Sequence, residues 1–145
     1  MTNASAAVPD PLLRTLADFR YELRRFLHFS ESAAGIAGLH PQQHQLLLQV
    51  AGAPEKTSVT IAYAAERLGL RHNSTVELVD RSVREGLLTR KTDPEDRRRA
   101  LLHVTQKGRQ VLNRLSDEHA RELNELGPRL ERALKHIRVH SPAVV

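Results

Sequence analysis

Apolar residues recur at helical spacing near the start of the chain. The set is Leu12, Leu16, Phe19, Leu23 and Phe26, whose separations are four, three, four and three residues. This period places one apolar stripe on a helix over residues 11–29. Gly35 and Gly38 mark the break after that helix.

The middle of the chain carries the start and stop signals of three shorter helices. Pro41 suits the first turn of a second helix. Thr60 can cap a short third helix, and Gly69 suits its C-terminal end. A fourth helix then starts near Asn73 after a tight turn and ends at Gly86. Its buried side is predicted to consist of Val76, Val79 and Val83.

The last third of the chain predicts a hairpin followed by a long helical stripe. Residues 87–105 contain two short apolar runs around a polar tip, and Thr105 can cap the next helix. The helical stripe comprises Val111, Leu115, Leu123, Leu126, Leu130, Leu134 and Ile137, with His119 filling the gap. Gly127 and Pro128 interrupt the backbone, so we predict two helices that meet at a kink.

This order of elements predicts a mainly α fold with a small β wing. A short helix, a tight turn and a second helix form a helix-turn-helix, and the following hairpin makes it winged. We assign residues 39–105 to this winged helix-turn-helix core. Residues 11–35 and 106–138 are predicted dimerisation helices, with a flexible N-terminus at 1–10 and a flexible tail at 139–145.

The fourth helix is the predicted reader of double-stranded DNA. Helix N-termini favour phosphates, and Asn and Arg side chains match base edges in the major groove. The alternative is that Asn73 and Ser74 only cap the helix. The candidate DNA contacts of this helix are Arg71, His72, Asn73, Ser74, Thr75, Glu77, Leu78 and Arg81.

The tip of the hairpin, Asp93–Arg99, carries three consecutive arginines behind three acids. Adjacent strand residues point to opposite faces, so we expect only one or two of Arg97, Arg98 and Arg99 to enter a minor groove. Asp96 is expected to orient one of these arginines. The alternative is a solvated tip whose local ion pairs stabilise by only about 0–1 kcal/mol each.

Composition agrees with a nucleic-acid partner and narrows the alternatives. The 145 residues carry a net charge of +5 and no cysteine. A basic chain permits DNA binding, and the lack of thiols excludes a disulfide framework, thiolate metal sites and thiol redox sensing. We see no signal peptide or membrane span and expect a cytoplasmic protein. Hydrolase, phosphate-loop and zinc-protease motifs are absent, so we predict no enzyme and no cofactor.

The apolar stripes of the terminal helices predict a homodimer. A compact winged helix needs only part of this chain, and each fully buried leucine contributes roughly 1.5–3 kcal/mol. Interlocking terminal helices of two subunits would bury both stripes. The two recognition helices would then lie about 34 Å apart, one turn of DNA, on a pseudo-palindrome. The alternative is that both helices pack within one chain.

Several segments of the sequence resemble the MarR family of bacterial winged-helix regulators over about residues 12–137. The most specific runs from Asp93–Arg99 into the stretch Val104–Gly108. The others are Gly38–Gln43, Ala64–Leu70, Leu78–Arg81 and Glu85–Leu88.

The resemblance implies a homodimeric repressor that reads DNA with the fourth helix and the wing, with Asp96 holding Arg98. It also implies release of DNA by a small aromatic or phenolic ligand. The sequence departs from the family at His40, where Thr or Ser is usual, and at Ser82, where Leu is common. The absence of cysteine excludes the peroxide-sensing mechanism of one branch.

From the position of family pockets, we hypothesise that Arg24, Phe26, His44 and Tyr63 line a ligand cleft. A metal-responsive alternative uses His40 and His44, one helical turn apart, together with His28, although two such histidines are a weak signal. We predict no metal. A further alternative is a helical adaptor that contacts proteins rather than DNA.

Overall fold

The computed structural model describes residue 7 and residues 10–140, apart from the His140 side chain. Its helices are α1 Asp10–Ile36, α2 Pro41–Ala51, α3 Ile61–Leu68, α4 His72–Arg84 and α5 Gln106–His140. The strands are β1 Leu88–Thr92 and β2 Ala100–Val104, and they pair antiparallel with Leu88 opposite Val104. This confirms a mainly helical winged fold.

The chain divides into two compact units, and the boundaries fall inside α1 and α5. One unit runs from Glu31 to Glu118 and contains α2, α3, α4 and the hairpin. The other combines the chain up to Ser30 with the chain from His119 onward.

The unit from Glu31 to Glu118 has a core of aliphatic side chains from its helices and strands. Those that are almost fully buried include Leu46, Leu47, Val79, Leu88, Leu102 and Leu115. Val59, just before α3, extends the hairpin because its carbonyl accepts a 2.8 Å hydrogen bond from the Leu102 N–H. The segment that leads into α3 is therefore tied to strand β2.

The helix ends of this unit follow the predicted signals. Thr60 accepts a 3.1 Å hydrogen bond from the Tyr63 N–H and caps α3. Gly69 has φ +65, a left-handed conformation that glycine adopts without steric cost, and it ends α3. Thr105 accepts a 3.0 Å hydrogen bond from the Gly108 N–H at the start of α5. A Cβ at Gly108 would clash with the Leu87 carbonyl, so only glycine fits this approach of helix to strand.

In the unit formed by the chain ends, His119 occupies the gap in the apolar stripe of α5. Its ring makes edge contacts with Phe26 and Phe29 at centroid distances of 5.9 and 5.2 Å. Its Nε2 lies 2.8 Å from the Ser30 hydroxyl. Edge-to-face ring contacts and a hydrogen bond thus replace the aliphatic contact expected from the pattern.

Three boundaries differ from the predictions. α1 continues through Gly35 to Ile36, so it is longer than residues 11–29. α5 is one continuous helix with Pro128 inside it, so the prediction of two separate helices was wrong. A proline removes a single N–H, and the neighbouring turns of a long helix maintain the ladder. Residues 139 and 140 belong to α5; residues 141–145 and most of 1–10 lie outside the described residues.

Candidate nucleic-acid interface

Helix α4 presents a polar face that is exposed at its N-terminal end. Arg71, in extended conformation, is the N-cap residue, and it makes no side-chain capping hydrogen bond. Asn73 and Ser74 lie in the first turn with exposed side chains, so neither is the cap. The predicted contacts that are exposed are Arg71, His72, Asn73, Ser74, Glu77 and Arg81.

Two of the predicted DNA contacts on α4 were wrong. Thr75 is fully buried, and its hydroxyl donates a 2.9 Å hydrogen bond to the Arg71 carbonyl. Leu78 is only 8% exposed. Both side chains belong to the core of the unit from Glu31 to Glu118 and are not available to a duplex.

The error arises from the register of the buried face of α4. The valine spacing placed the core side on Val76, Val79 and Val83, but Val83 is exposed and Ser82 is completely buried. The Ser82 hydroxyl is satisfied by a 2.8 Å hydrogen bond to the Leu78 carbonyl. Small hydroxylated residues that bond to their own helix can occupy a core face, and a count of valines does not detect them.

Arg81 on the exposed face of α4 is held by a chain of hydrogen bonds that reaches into the core. The Arg81 Nε donates to Glu85 over 3.2 Å, and the Gln43 amide donates to the other oxygen of Glu85 over 2.8 Å. Gln43 is fully buried, and its own carbonyl oxygen accepts the His40 N–H at the start of α2. Gln43 of α2 therefore fixes, through Glu85, the position of an exposed arginine on α4.

The same contacts keep Glu85 ionised. The hydrogen bond from Gln43, followed by the one from Arg81, lowers the pKa of the Glu85 carboxyl below its ordinary value. Lys107 adds a 2.8 Å hydrogen bond to the Glu85 backbone carbonyl. Gln43 and Glu85 lie in segments that carry the family resemblance, but neither was predicted to have a role.

At the wing tip, two carboxylates hold two of the three arginines. Asp96 accepts from the Arg98 Nε over 3.2 Å, which agrees with the predicted orienting role. Asp93 accepts from Arg99 over 2.9 Å, and it is 4% exposed. Asp93 was missed as an orienting residue, although its position directly after the outgoing strand was a usable signal.

Asp93 also organises the backbone of the tip. Its carboxylate accepts a 2.9 Å hydrogen bond from the Glu95 N–H, and its own N–H donates to the Arg99 carbonyl over 3.0 Å. The bond from Glu95, followed by the Arg99 guanidinium, lowers the pKa of Asp93 below its usual value. The tip is thus a closed turn with an ionised, enclosed acid.

The three arginines share one groove, contrary to the prediction that they diverge. Arg97 and Arg98 lie in a turn and Arg99 follows it, before β2 starts at Ala100. Strand alternation therefore does not apply to them. The groove, of about 500 Å³, is lined by Thr60, Ile61, Ala62, His72, Val76, Arg90, Thr92, Arg97, Arg98, Arg99 and Ala100.

Arg90, which lines this groove, connects the hairpin to α4. Its guanidinium lies 2.8 Å from Asp80 of α4. The groove therefore places four arginines beside His72 and the capped start of α3, with no acidic residue among its described lining. Asp80, Asp96 and Asp93 pair with Arg90, Arg98 and Arg99 from outside this lining. A concave surface that is rich in arginine N–H donors suits the phosphates of a nucleic acid.

A sequence model described as the MarR family matches residues 37–99. A relative named as the putative transcriptional regulatory protein for the hcr operon of Thauera aromatica is 29% identical over 114 residues, which are 79% of this chain and 67% of the relative. The chain is similar to the MarR family over residues 37–99, which contain α2, α3, α4 and β1.

Solved structures of MarR family members and related regulators share the fold. The PcaV transcriptional regulator from Streptomyces coelicolor, in complex with its natural ligand, aligns with a TM-score of 0.57 and 29% identity, over 73% of this chain and 76% of that one. A further MarR family transcription regulator aligns with a TM-score of 0.71 at 19% identity, over 82% and 77% of the two chains. These similarities identify the chain as a DNA-binding transcriptional regulator of the winged-helix type, similar to the MarR family.

The four residues of the hypothesised ligand cleft fall two in each compact unit. Phe26 is half-buried against His119, and Arg24 is exposed on α1. His44 is 2% exposed in the unit from Glu31 to Glu118, and Tyr63 is half-buried on α3 of the same unit. The cleft remains a hypothesis.

His40, one histidine of the metal-responsive alternative, has a structural role in the described chain. The His40 Nδ1 accepts a 3.2 Å hydrogen bond from the Gln42 N–H and helps to cap α2. The described residues contain no group of three or more His, Asp or Glu side chains placed to hold a metal ion.

None of the helices in the described part of the chain is long and apolar enough to cross a membrane.

Proposed function

We propose that this regulator is a homodimer that represses transcription from a pseudo-palindromic operator and leaves it when a small molecule binds. One observation carries the DNA-reading part of this proposal. The exposed start of α4 and the arginines of the wing border a single basic groove. A duplex can therefore be gripped by a helix in one groove and by arginines on the adjacent backbone or minor groove.

The proposed roles divide between the two elements. Asn73, Ser74, Glu77 and Arg81 are assigned to the major groove, because they share the exposed face of α4. Arg71 and His72 lie at its N-terminus, where unpaired N–H groups favour phosphate. In the wing, Arg97 and Arg98 are assigned to the minor groove or its phosphates, since Arg98 is 92% exposed. Arg99 is assigned a positioning role because Asp93 retains it.

The homodimer is supported by apolar side chains that the terminal helices leave accessible. In the unit formed by the two chain ends, the exposed apolar side chains among the described residues include Leu13, Leu16, Leu27, Leu123, Leu134 and Val139. A row of exposed leucines on paired helices is typical of a surface that is covered by a partner. A second copy of the chain is the partner we assign, and two-fold symmetry then produces two DNA-reading lobes.

The ligand-release part rests on the relative from Streptomyces coelicolor, which is described in complex with its natural ligand. We extend the principle of ligand control to this chain, without extending the identity of the ligand. Repression follows when the operator overlaps a promoter. We assign the protein no catalytic step, and we place it in the cytoplasm with its DNA.

The proposal is tested by selecting genomic fragments that bind the purified full-length chain. Footprinting of the recovered fragments should show two half-sites about 10 base pairs apart, centre to centre, related by a pseudo-dyad. Sedimentation equilibrium should give twice the chain mass, and transcription in vitro from a bound promoter should fall. A monomeric mass, or footprints without two-fold symmetry, would contradict the dimer; unchanged transcription would contradict repression.

A further inference from the structure

The unit from Glu31 to Glu118 contains a second groove. Some of its lining residues are the sequence neighbours of residues that line the basic groove of the wing. The second groove has a volume of about 440 Å³. Its described lining is Val50, Ala51, Ala53, Pro54, Lys56, Thr57, Ser58, Val59, Leu101, Leu102, His103 and Arg109. Four elements contribute: the end of α2, the loop after it, strand β2 and the first turn of α5.

The charged side chains of this second groove are all cationic. Lys56 and Arg109 contribute permanent positive charges, and His103 adds ring nitrogens. Within the described residues, neither Lys56 nor Arg109 has a carboxylate within 4.0 Å. No acidic residue is part of the described lining. The groove therefore has positive charge that the folded chain does not neutralise.

The backbone brings one of these charges into the groove at an energetic cost. Lys56 has φ +64, and it is the one described residue other than glycine with positive φ. A side chain disfavours this conformation, which persists only where the surrounding structure imposes it. Thr57, whose N–H bonds to the Pro54 carbonyl over 3.2 Å, closes the same loop and faces the groove with Ser58.

The remaining walls are apolar. Val50, Pro54 and Leu101 line the groove beside the cations. A bare phosphate or a DNA backbone gains nothing from such walls, because burial of apolar surface is favourable only with an apolar partner. A compact hydrocarbon body that carries one carboxylate complements both parts. The volume is within the range of small-molecule sites.

We infer that this groove is a binding site for small organic carboxylates, separate from the DNA-contacting groove. The carboxylate lies between Lys56 and Arg109, with His103 and the two hydroxyls as further donors, and the hydrocarbon packs on the apolar walls. The site goes beyond the proposed repressor function and does not depend on it. It uses residues of one subunit only.

The site adjoins the DNA-contacting groove through two shared backbone segments. Ala100 and Thr60 line the DNA-contacting groove, whereas their neighbours Leu101 and Val59 line the carboxylate site. The Leu102 N–H and the Val59 carbonyl join these two segments. Amide signals from both segments should therefore report occupancy of the site.

The probe for this site is cyclohexanecarboxylate, added to the full ¹⁵N-labelled chain at pH 7 and constant ionic strength. We expect saturable shifts of the amide signals of residues 56–59 and 101–103. Cyclohexanecarboxamide, which has the same shape without the charge, should bind at least tenfold more weakly. Inorganic phosphate, which lacks the apolar body, should also bind at least tenfold more weakly.

The decisive variant is Lys56→Gln with Arg109→Gln, which should weaken cyclohexanecarboxylate binding at least tenfold. The matched control is Arg121→Gln with Lys135→Gln, which removes the same charge from two exposed positions of α5 and should bind as the wild type does. Both variants should retain the melting temperature of the wild type, because all four side chains lie at the surface.

Several outcomes would overturn the inference. Shifts that spread over all basic surfaces without saturation would show nonspecific ion binding only. Equal loss in the control pair, or equal binding of the carboxamide, would remove the role of Lys56 and Arg109. A double variant that binds the carboxylate normally, but weakens DNA binding with a salt slope lower by about two, would assign the groove to the DNA backbone.

Discussion

The recognition helix and the wing both present arginines to solvent, but they position them by different means. Arg81 of α4 is held by Glu85, which is held in turn by the buried Gln43 of α2. Arg98 and Arg99 of the wing are held by Asp96 and Asp93, within a few residues along the chain. A buried core residue therefore positions the arginine of the helix, whereas acids of the wing tip itself position the arginines there.

This difference implies different consequences of mutation. A change in the core beneath α4 alters stability first, because the same contacts fold the lobe and position the helix. A change at the tip alters DNA binding first, since little of the fold depends on the exposed arginines. The following variants test that separation, beginning with the largest expected effect.

Leu78→Ala should lower the free energy of unfolding by roughly 2–5 kcal/mol, because it leaves a cavity beneath the recognition helix. Urea denaturation followed by circular dichroism, at fixed chain concentration, measures the loss. Val83→Ala is the matched control on the same helix; Val83 is exposed, and its truncation should cost less than about 1 kcal/mol. A Leu78→Ala chain of unchanged stability with weaker DNA binding would restore Leu78 as a base contact.

Arg98→Ala should weaken duplex binding about tenfold, which corresponds to about 1.4 kcal/mol, at an unchanged melting temperature. Fluorescence anisotropy at several salt concentrations should show a slope reduced by about 0.9 if Arg98 contacts a phosphate. Arg97→Ala should behave similarly. Arg121→Ala, an exposed arginine of α5, is the control. Wild-type affinity in both wing variants would refute the assigned role of the tip.

Gln43→Ala should lower the free energy of unfolding by about 1–2 kcal/mol, since it removes a capping hydrogen bond and leaves Glu85 without its buried partner. The neighbouring Gln42→Ala offers a control of identical chemistry at an exposed position. Thermal denaturation of the two variants measures the difference. Equal stability would mean that the core does not anchor Glu85 and Arg81. The proposed difference between the helix and the wing would then be contradicted.

The smallest effect concerns pH and the acid enclosed in the tip. The pKa of Asp93 is lowered in the folded chain, so its ionised form favours folding above the unfolded pKa of about 3.9. That contribution is lost as the pH falls through the lower folded pKa. The stability gap between wild type and Asp93→Asn should therefore be widest above about pH 5 and narrow below about pH 4. Urea midpoints at pH 6, 5, 4 and 3 measure it; a constant gap would contradict the assignment.

The same contrast explains what could be predicted from the sequence. The order of elements as far as the hairpin was predicted correctly, and so were the caps at Thr60 and Thr105. The contact of Asp96 with Arg98 also agrees with the prediction. These features depend on residues close together in the chain. The buried face of α4 was assigned to the wrong residues, because Thr75 and Ser82 are buried through packing against distant elements. The role of Gln43 depends on Glu85, 42 residues further along the chain.

The wing was also instructive where the prediction failed. The three arginines were treated as strand residues, and alternation was applied to them. They precede β2, so they can line one groove together. Whether a residue at a hairpin tip belongs to the turn or the strand depends on the register of Thr92 opposite Ala100, which no local pattern fixes.

The central claim is that the exposed face of α4 and the arginines of the wing hold one duplex. Fluorescence anisotropy of the purified chain tests this claim most directly. The duplexes are DNA from the region upstream of its own gene and the fragments recovered by genomic selection. Binding is measured at several salt concentrations and compared with binding to an unrelated duplex. The account predicts binding to at least one of these sequences at least 10³-fold tighter than to the unrelated duplex, with steep weakening as salt increases. Equal and salt-insensitive binding to every duplex would contradict it and favour the protein-contacting adaptor.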